Sequence, residues 1–162
     1  MAIRLGEEDP MVAFRLNGAD VDLSVPEGTT LLEMLNQDAG LAGPKFGCGK
    51  SQCGACTVLV DGEVVIACDT SATAAGGRSV ETLEALLEDG RAGRLQRAFV
   101  EEQAAQCGYC IPGIIMRAQA LLDRNPSPSE SEVRTALNDN LCRCGTHVRI
   151  IRAVMRAAGE EI

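Results

Sequence analysis

Residues 46–57, FGCGKSQCGACT, place three cysteines within nine residues, each with a glycine beside it, and a fourth follows at Cys68. Counting the residues between them, the set Cys48, Cys53, Cys56, Cys68 is spaced by four, two and eleven. Three thiols from one loop and one from afar is the front-loaded pattern of a plant-type [2Fe-2S] site. Gly47, Gly49 and Gly54 suit such a loop, because a chain wrapped round a cluster needs positive backbone dihedrals and unhindered amide N–H groups close to sulfur. Structural zinc ordinarily takes two paired C-x2-4-C hooks, and disulfides suit small secreted chains, whereas the N-terminal residues carry no signal-peptide pattern. The cluster fits this set best.

A second set, Cys107, Cys110, Cys142 and Cys144, is spaced by two, thirty-one and one. Both of its pairs fall at expected helix junctions, where the helix N-terminus that follows favours thiolate. Spacing alone leaves zinc and an iron–sulfur cluster equally open here. Cys107-Gly108-Tyr109-Cys110 looks like a thioredoxin-type pair but lies between helices instead of in a βαβ surround. A Rieske centre requires two histidines, and His147 is the only one in the chain. No Ser-His-Asp set, phosphate loop or acid pair competes with the cysteines.

Positioning these thiols falls to two kinds of structure. Residues 12–16 and 21–25 flank Asn17-Gly18, a hairpin signal. Thr29 or Thr30 can cap a helix with Leu31, Leu32 and Leu35 on its apolar side, ending near Gly40. After the cysteine loop, residues 57–60 and 64–67 flank Asp61-Gly62 as a second hairpin that returns Cys68 to the loop, and residues 79–82 supply a last strand. That order is the order of a ferredoxin-type β-grasp. A polar connector over 84–94, punctuated by Asp89-Gly90 and Gly93, ends the β signals. Four helices are expected beyond it. The first carries Leu95, Ala98 and Phe99 and runs toward Gln106 and Cys107. The second starts at Pro112, turns Ile114, Ile115, Ala118, Leu121 and Leu122 inward, and stops at Asn125-Pro126. The third has a Ser129/Glu132 capping box and carries Val133, Ala136 and Leu137. The fourth, capped by Thr146, turns Val148, Ile151, Val154 and Met155 inward and closes near Gly159. The expected fold is α+β, with residues 1–84 a β-grasp ferredoxin-like [2Fe-2S] domain and 85–162 an all-α four-helix bundle domain.

Aromatic residues make up only 2% of the 162, with no Trp, so the cores must be built from Ala, Val, Ile and Leu. Such side chains bury less area each, and small domains built from them lean on a bound cofactor. The formal charge of −8 excludes nucleic acid as a partner, and two oxidised clusters would add about −2 apiece. No eighteen apolar residues run together, so direct membrane insertion is not expected. A reducing cytoplasm is the expected home of eight unpaired thiols.

The run GCGKSQCGACTVLVDG, followed by QCGYCIPGIIM and then NLCRCGTH-x-RI-x-RAV, closely resembles the small iron–sulfur subunit of the molybdenum hydroxylases, the xanthine oxidase and aldehyde oxidoreductase superfamily, over residues 11 to 158. The resemblance implies that the second set also binds a [2Fe-2S] cluster. It further implies that this cluster lies nearest a molybdopterin cofactor, of the cytosine dinucleotide form, held by a separate large catalytic subunit, with Gln106 and Cys144 hydrogen-bonded to the pterin. The implied function is electron transfer without bond chemistry: electrons taken from an aldehyde or N-heterocycle at the molybdenum pass through both clusters to an external acceptor, a flavin subunit or a c-type cytochrome. Without the resemblance, Gln106 reads as a solvated helix residue, and the chain as a free-standing ferredoxin-like carrier or a zinc-stabilised interaction module. The CRCGTH ending and the SQCGAC loop look more like the isoquinoline, nicotinate and bacterial aldehyde dehydrogenase branch, where a tyrosine usually follows the threonine. His147 departs from that pattern and reads as a surface or interface residue. Arg149, Arg152 and Arg156 line one stripe of the last helix, either a solvated face or a docking stripe for an acidic partner.

Overall fold

Asn17 and Gly18 both take positive φ, 51° and 87°, the backbone that a two-residue hairpin requires. Around them β1 (Met11–Leu16) pairs antiparallel with β2 (Ala19–Ser24). Asp61 and Gly62 repeat the device at 52° and 79°, joining β3 (Thr57–Val60) to β4 (Glu63–Ile66). The computed structural model describes residues 9–88 and 92–159, so Asp89 and Gly90 of the expected connector lie outside the described residues. A fifth strand, β5 (Ser79–Glu81), slots between the hairpins, parallel to β1 and antiparallel to β3, giving the order β2-β1-β5-β3-β4. Thr30 starts α1 (Leu31–Glu33): its hydroxyl accepts the Glu33 N–H at 3.2 Å while Glu33 Oε2 accepts the Thr30 N–H at 2.9 Å, a reciprocal box. The helix then widens into one π turn, Met34–Asp38, and ends at Gly40, whose φ is 68°. Leu31, Met34 and Leu35 are fully buried against Val12, Phe14, Val58 and Val60.

The second core is helical. α3 (Ala92–Glu101), α4 (Ile111–Arg124), α5 (Glu130–Ala136) and α6 (His147–Gly159) surround Leu95, Ile114, Met116, Val133, Ile150 and Val154. The Ser129/Glu132 box forms as read, with the Ser129 N–H 2.7 Å from Glu132 Oε2. Strand β3 serves both cores at once, because Val58 and Val60 point into the first and Leu59 into the second, so all four of its residues are buried. The cysteine loop that runs into β3 is thereby held at the boundary between sheet and bundle. The architecture is a β-grasp ferredoxin-like sheet followed by a helical domain, α+β as expected. Among the described residues no helix is long and apolar enough to cross a membrane.

Three local expectations are corrected. Residues 83–88 form a helix, α2, where a polar connector was expected; Leu86 is fully buried in the bundle core, and one apolar residue per turn suffices to dock so short a helix. α3 stops at Glu101 and does not run on to Cys107; Gln103 takes φ 50°, a left-handed residue that breaks the helix and leaves Gln106 in an exposed bend. Val148 is 55% exposed. The inward stripe of α6 is Ile150, Ala153, Val154 and Ala157, the i, i+3, i+4, i+7 face, and Val148 lies off it.

Candidate metal centres

The first cysteine loop aims its own amides at its own thiols. Cys48 Sγ accepts the N–H groups of Gln52 at 3.3 Å and Lys50 at 3.4 Å, Cys53 Sγ accepts the Cys48 N–H at 3.4 Å, and Cys56 Sγ accepts the Cys68 N–H at 3.4 Å. The amides of Lys50 and Gln52 bring the Cys48 thiol down to about 7, whereas burial pushes Cys56 up to about 12. Ser51, with φ 53°, donates its hydroxyl to Asp69 at 2.7 Å, which ties the loop tip to the turn that carries Cys68.

In the second set Cys107 is exposed, Cys110 and Cys144 are half-buried and Cys142 is buried. The Tyr109 amide, then Cys144, lower the Cys107 thiol, and burial raises Cys110 to about 12. Burial also acts against the charged form of Cys142, yet the hydroxyl and amide of Thr146, with Cys110 and the Cys144 amide, bring that thiol down to about 7.

The thiols gather in twos: Cys48 with Cys53, Cys56 with Cys68, Cys107 with Cys144, and Cys110 with Cys142. Among the described residues no three His, Cys, Asp or Glu side chains close on one point as a single ion would need. A two-iron core asks for two thiolates on each iron, and four sulfurs arranged as two pairs fit that demand, as do the amides directed at them.

The two sets are also bound to each other. Leu141 N–H donates to the Cys53 carbonyl at 3.0 Å, Asn140 Nδ2 to the Gly54 carbonyl at 3.2 Å, and the Tyr109 hydroxyl to the Phe46 carbonyl at 2.7 Å. A cleft of about 520 Å³ runs between them, lined by Cys48 and Cys53 on one side and Cys107, Cys110 and Cys142 on the other. Ligand loops some ninety positions apart in the chain therefore open on one space.

Two family models cover the chain: the 2Fe-2S iron-sulfur cluster binding domain over residues 14–92, and the [2Fe-2S] binding domain over residues 82–155. The small nicotinate dehydrogenase chain of Pseudomonas putida is 50% identical over 147 residues, covering 91% of this chain and 94% of that one. The alpha chain of isoquinoline 1-oxidoreductase from Brevundimonas diminuta is 46% identical, over 93% and 99%. The chain belongs to the small iron–sulfur subunits of the molybdenum hydroxylases. The fold of this small subunit superposes on the crystal structure of quinoline 2-oxidoreductase from Pseudomonas putida 86 with a TM-score of 0.89 at 36% identity, covering 94% of each chain.

Within the small subunit Gln106 and Cys107 are both exposed beside the cleft, and Cys144 is half-buried on the turn before α6. Arg149 donates to the Gln103 carbonyl at 3.3 Å and Arg156 pairs with Glu101 and Glu102, so these arginines tie α6 to the end of α3. His147, read from sequence as a surface residue, is exposed, but its Nε2 accepts the Cys142 N–H at 3.2 Å. Neither that contact nor the clamp made by Asn140 and Leu141 leaves a signal in one sequence, since backbone partners carry no residue type. The motif's compactness, with Asn140 two residues before Cys142, was the available hint.

Proposed function

We propose that Cys48, Cys53, Cys56 and Cys68 hold one [2Fe-2S] cluster, that Cys107, Cys110, Cys142 and Cys144 hold another, and that Gln106 and Cys144 meet the pterin of a molybdopterin cofactor, in its cytosine dinucleotide form, bound by a large catalytic subunit. The small subunit carries electrons for a molybdenum-containing oxidoreductase and performs no bond chemistry itself. When bound, each cluster takes up and passes on one electron at a time.

The observation that carries this reading is the join between the sets: the carbonyl of one proposed ligand, Cys53, accepts from Leu141, whose next residue is another proposed ligand, Cys142. One hydrogen bond and one peptide unit hold the two ligand loops in fixed register, which a relay between fixed centres needs and a free zinc module does not. The bundle set faces the catalytic subunit, where an aldehyde or N-heterocycle is oxidised. Lys50 and Gln52 at the tip of the first loop are exposed, which supports an exit there toward a flavin subunit or a c-type cytochrome. Phe46, Tyr109 and Leu141, 64%, 50% and 58% exposed, edge the cleft, and an apolar rim of that kind calls for a covering partner. The complex belongs in the cytoplasm, where thiols stay reduced until clusters are inserted.

Gentle purification of the tagged chain from its own cells tests the assignment. Molybdenum and a large subunit are expected to co-elute with it. A stable monomer with no molybdenum would return the chain to the free-standing ferredoxin-like reading.

A further inference from the structure

The turn that ends the second set, residues 142–147, is closed on itself from both sides. Gly145 N–H donates to the Cys142 carbonyl at 3.2 Å, and the Thr146 hydroxyl lies 3.2 Å from Cys142 Sγ. Amides of Thr146 and Cys144 also reach that sulfur. The third closure comes from a side chain: Cys142 N–H donates to His147 Nε2 at 3.2 Å. An imidazole nitrogen that accepts carries no proton, so the ring N–H is on Nδ1. His147 is the first residue of α6, and Ile150 and Val154 root that helix in the bundle core. Its ring stands in the wall between the cysteine cleft and a cavity of about 310 Å³ behind it, lined by Ile114, Leu137, Asn140 and Ile150. A rigid helix therefore grips the backbone of a ligand through one imidazole.

We propose that His147 is a positioning residue for the bundle cluster: by accepting the Cys142 N–H it clasps the ligand turn so that the Thr146 and Cys144 donors stay on the Cys142 sulfur, which eases one-electron reduction there. The role rests on the reading of Cys142 as a cluster ligand. Donors aimed at a ligating sulfur stabilise the extra negative charge of the reduced core, and partners one bond further out hold those donors in place. Without an acceptor, the Cys142 amide must turn toward water, and a six-residue turn cannot rotate at one end while keeping three donors fixed at the other. The first set has its own amides and does not touch His147, so it is an internal control.

Two variants of the intact complex decide it. His147→Phe keeps a ring and loses the acceptor; His147→Gln places Oε1 at nearly the reach of Nε2 and keeps one. Both are titrated against potential with low-temperature electron paramagnetic resonance, the signals being assigned to their sets with Cys53→Ser, which removes the first alone. At a fixed potential the reduced-to-oxidised ratio of the bundle signal is expected to fall about three- to tenfold in His147→Phe, tenfold being about 59 mV for one electron, with the first signal unmoved and His147→Gln close to wild type. Iron missing from the bundle site alone in His147→Phe, restored in His147→Gln, supports the clasp equally. An unchanged bundle signal, an equal shift of both signals, or a glutamine variant that behaves like phenylalanine overturns it. A wild-type complex that shows no second signal would instead remove the ligand reading, and the clasp with it.

Discussion

In the assembled enzyme, Cys53→Ser is expected to leave substrate able to reduce the bundle centre while turnover with the natural acceptor falls to background. Cys53 supplies one of the paired sulfurs of the first set, and its carbonyl is the atom that Leu141 reaches across from the second. A serine hydroxyl is a poor substitute for thiolate at iron, so the outer centre is lost or strongly altered. Cys110→Ser gives the opposite pattern, stopping electrons before the outer centre is reduced. Both proteins must first be shown to contain the catalytic subunit, because a domain that leans on its metal unfolds without it. Stopped-flow reduction by substrate, read beside steady-state turnover, separates the two blocks. Full turnover in an assembled Cys53→Ser enzyme would mean that the first centre is not the exit.

Gly113→Ala carries the second large effect, although the residue binds nothing. Gly113 sits in the first turn of α4, and a Cβ added there would run into the carbonyl oxygen of Gly54, with the carbonyl of Ala55 only 3.1 Å away. Both obstacles are backbone, so α4 must lift off the cysteine loop. That movement pulls on the Asn140–Gly54, Leu141–Cys53 and Tyr109–Phe46 hydrogen bonds, all of which cross the same seam. Overpacking at such a contact costs about 1–3 kcal/mol, and the loosened seam is expected to slow transfer between the centres as well. Gly93→Ala in α3, where the nearest atom to the new Cβ is the Arg97 guanidinium at 3.6 Å, is the matched control and is expected to be neutral or slightly stabilising. Denaturation midpoints for the pair, with the rate at which the outer signal appears, are the measurements. Equal midpoints would show that the close approach of α4 to the loop contributes nothing.

What could be read from the residues alone was what is local. Asn17-Gly18 and Asp61-Gly62 name their turns because only a few residue types accept positive φ in both places, and Ser129 with Glu132 names its helix because the two groups satisfy each other. Cysteine spacing was legible for the same reason, three ligands of the first set lying on one loop. The second set, split by thirty-one residues, stayed ambiguous until the motifs were taken together. Contacts between the two halves were out of reach: Asn140 meets Gly54 across eighty-six positions, and the partner atom is a carbonyl that every residue has. Val148 misled because an apolar side chain in the first turn of a helix looks inward until the neighbouring elements are known. Its exposure, with that of Tyr109 and Leu141, is what a surface awaiting a partner subunit would look like.

All of this depends on each set of four thiols holding two irons. Iron, zinc and acid-labile sulfide measured on the anaerobically purified chain, followed by low-temperature electron paramagnetic resonance after stepwise reduction, tests it most directly. About four irons and four sulfides per chain, with two distinguishable rhombic signals, is the expected result. Zinc in place of iron, or two irons and a single signal, would contradict it.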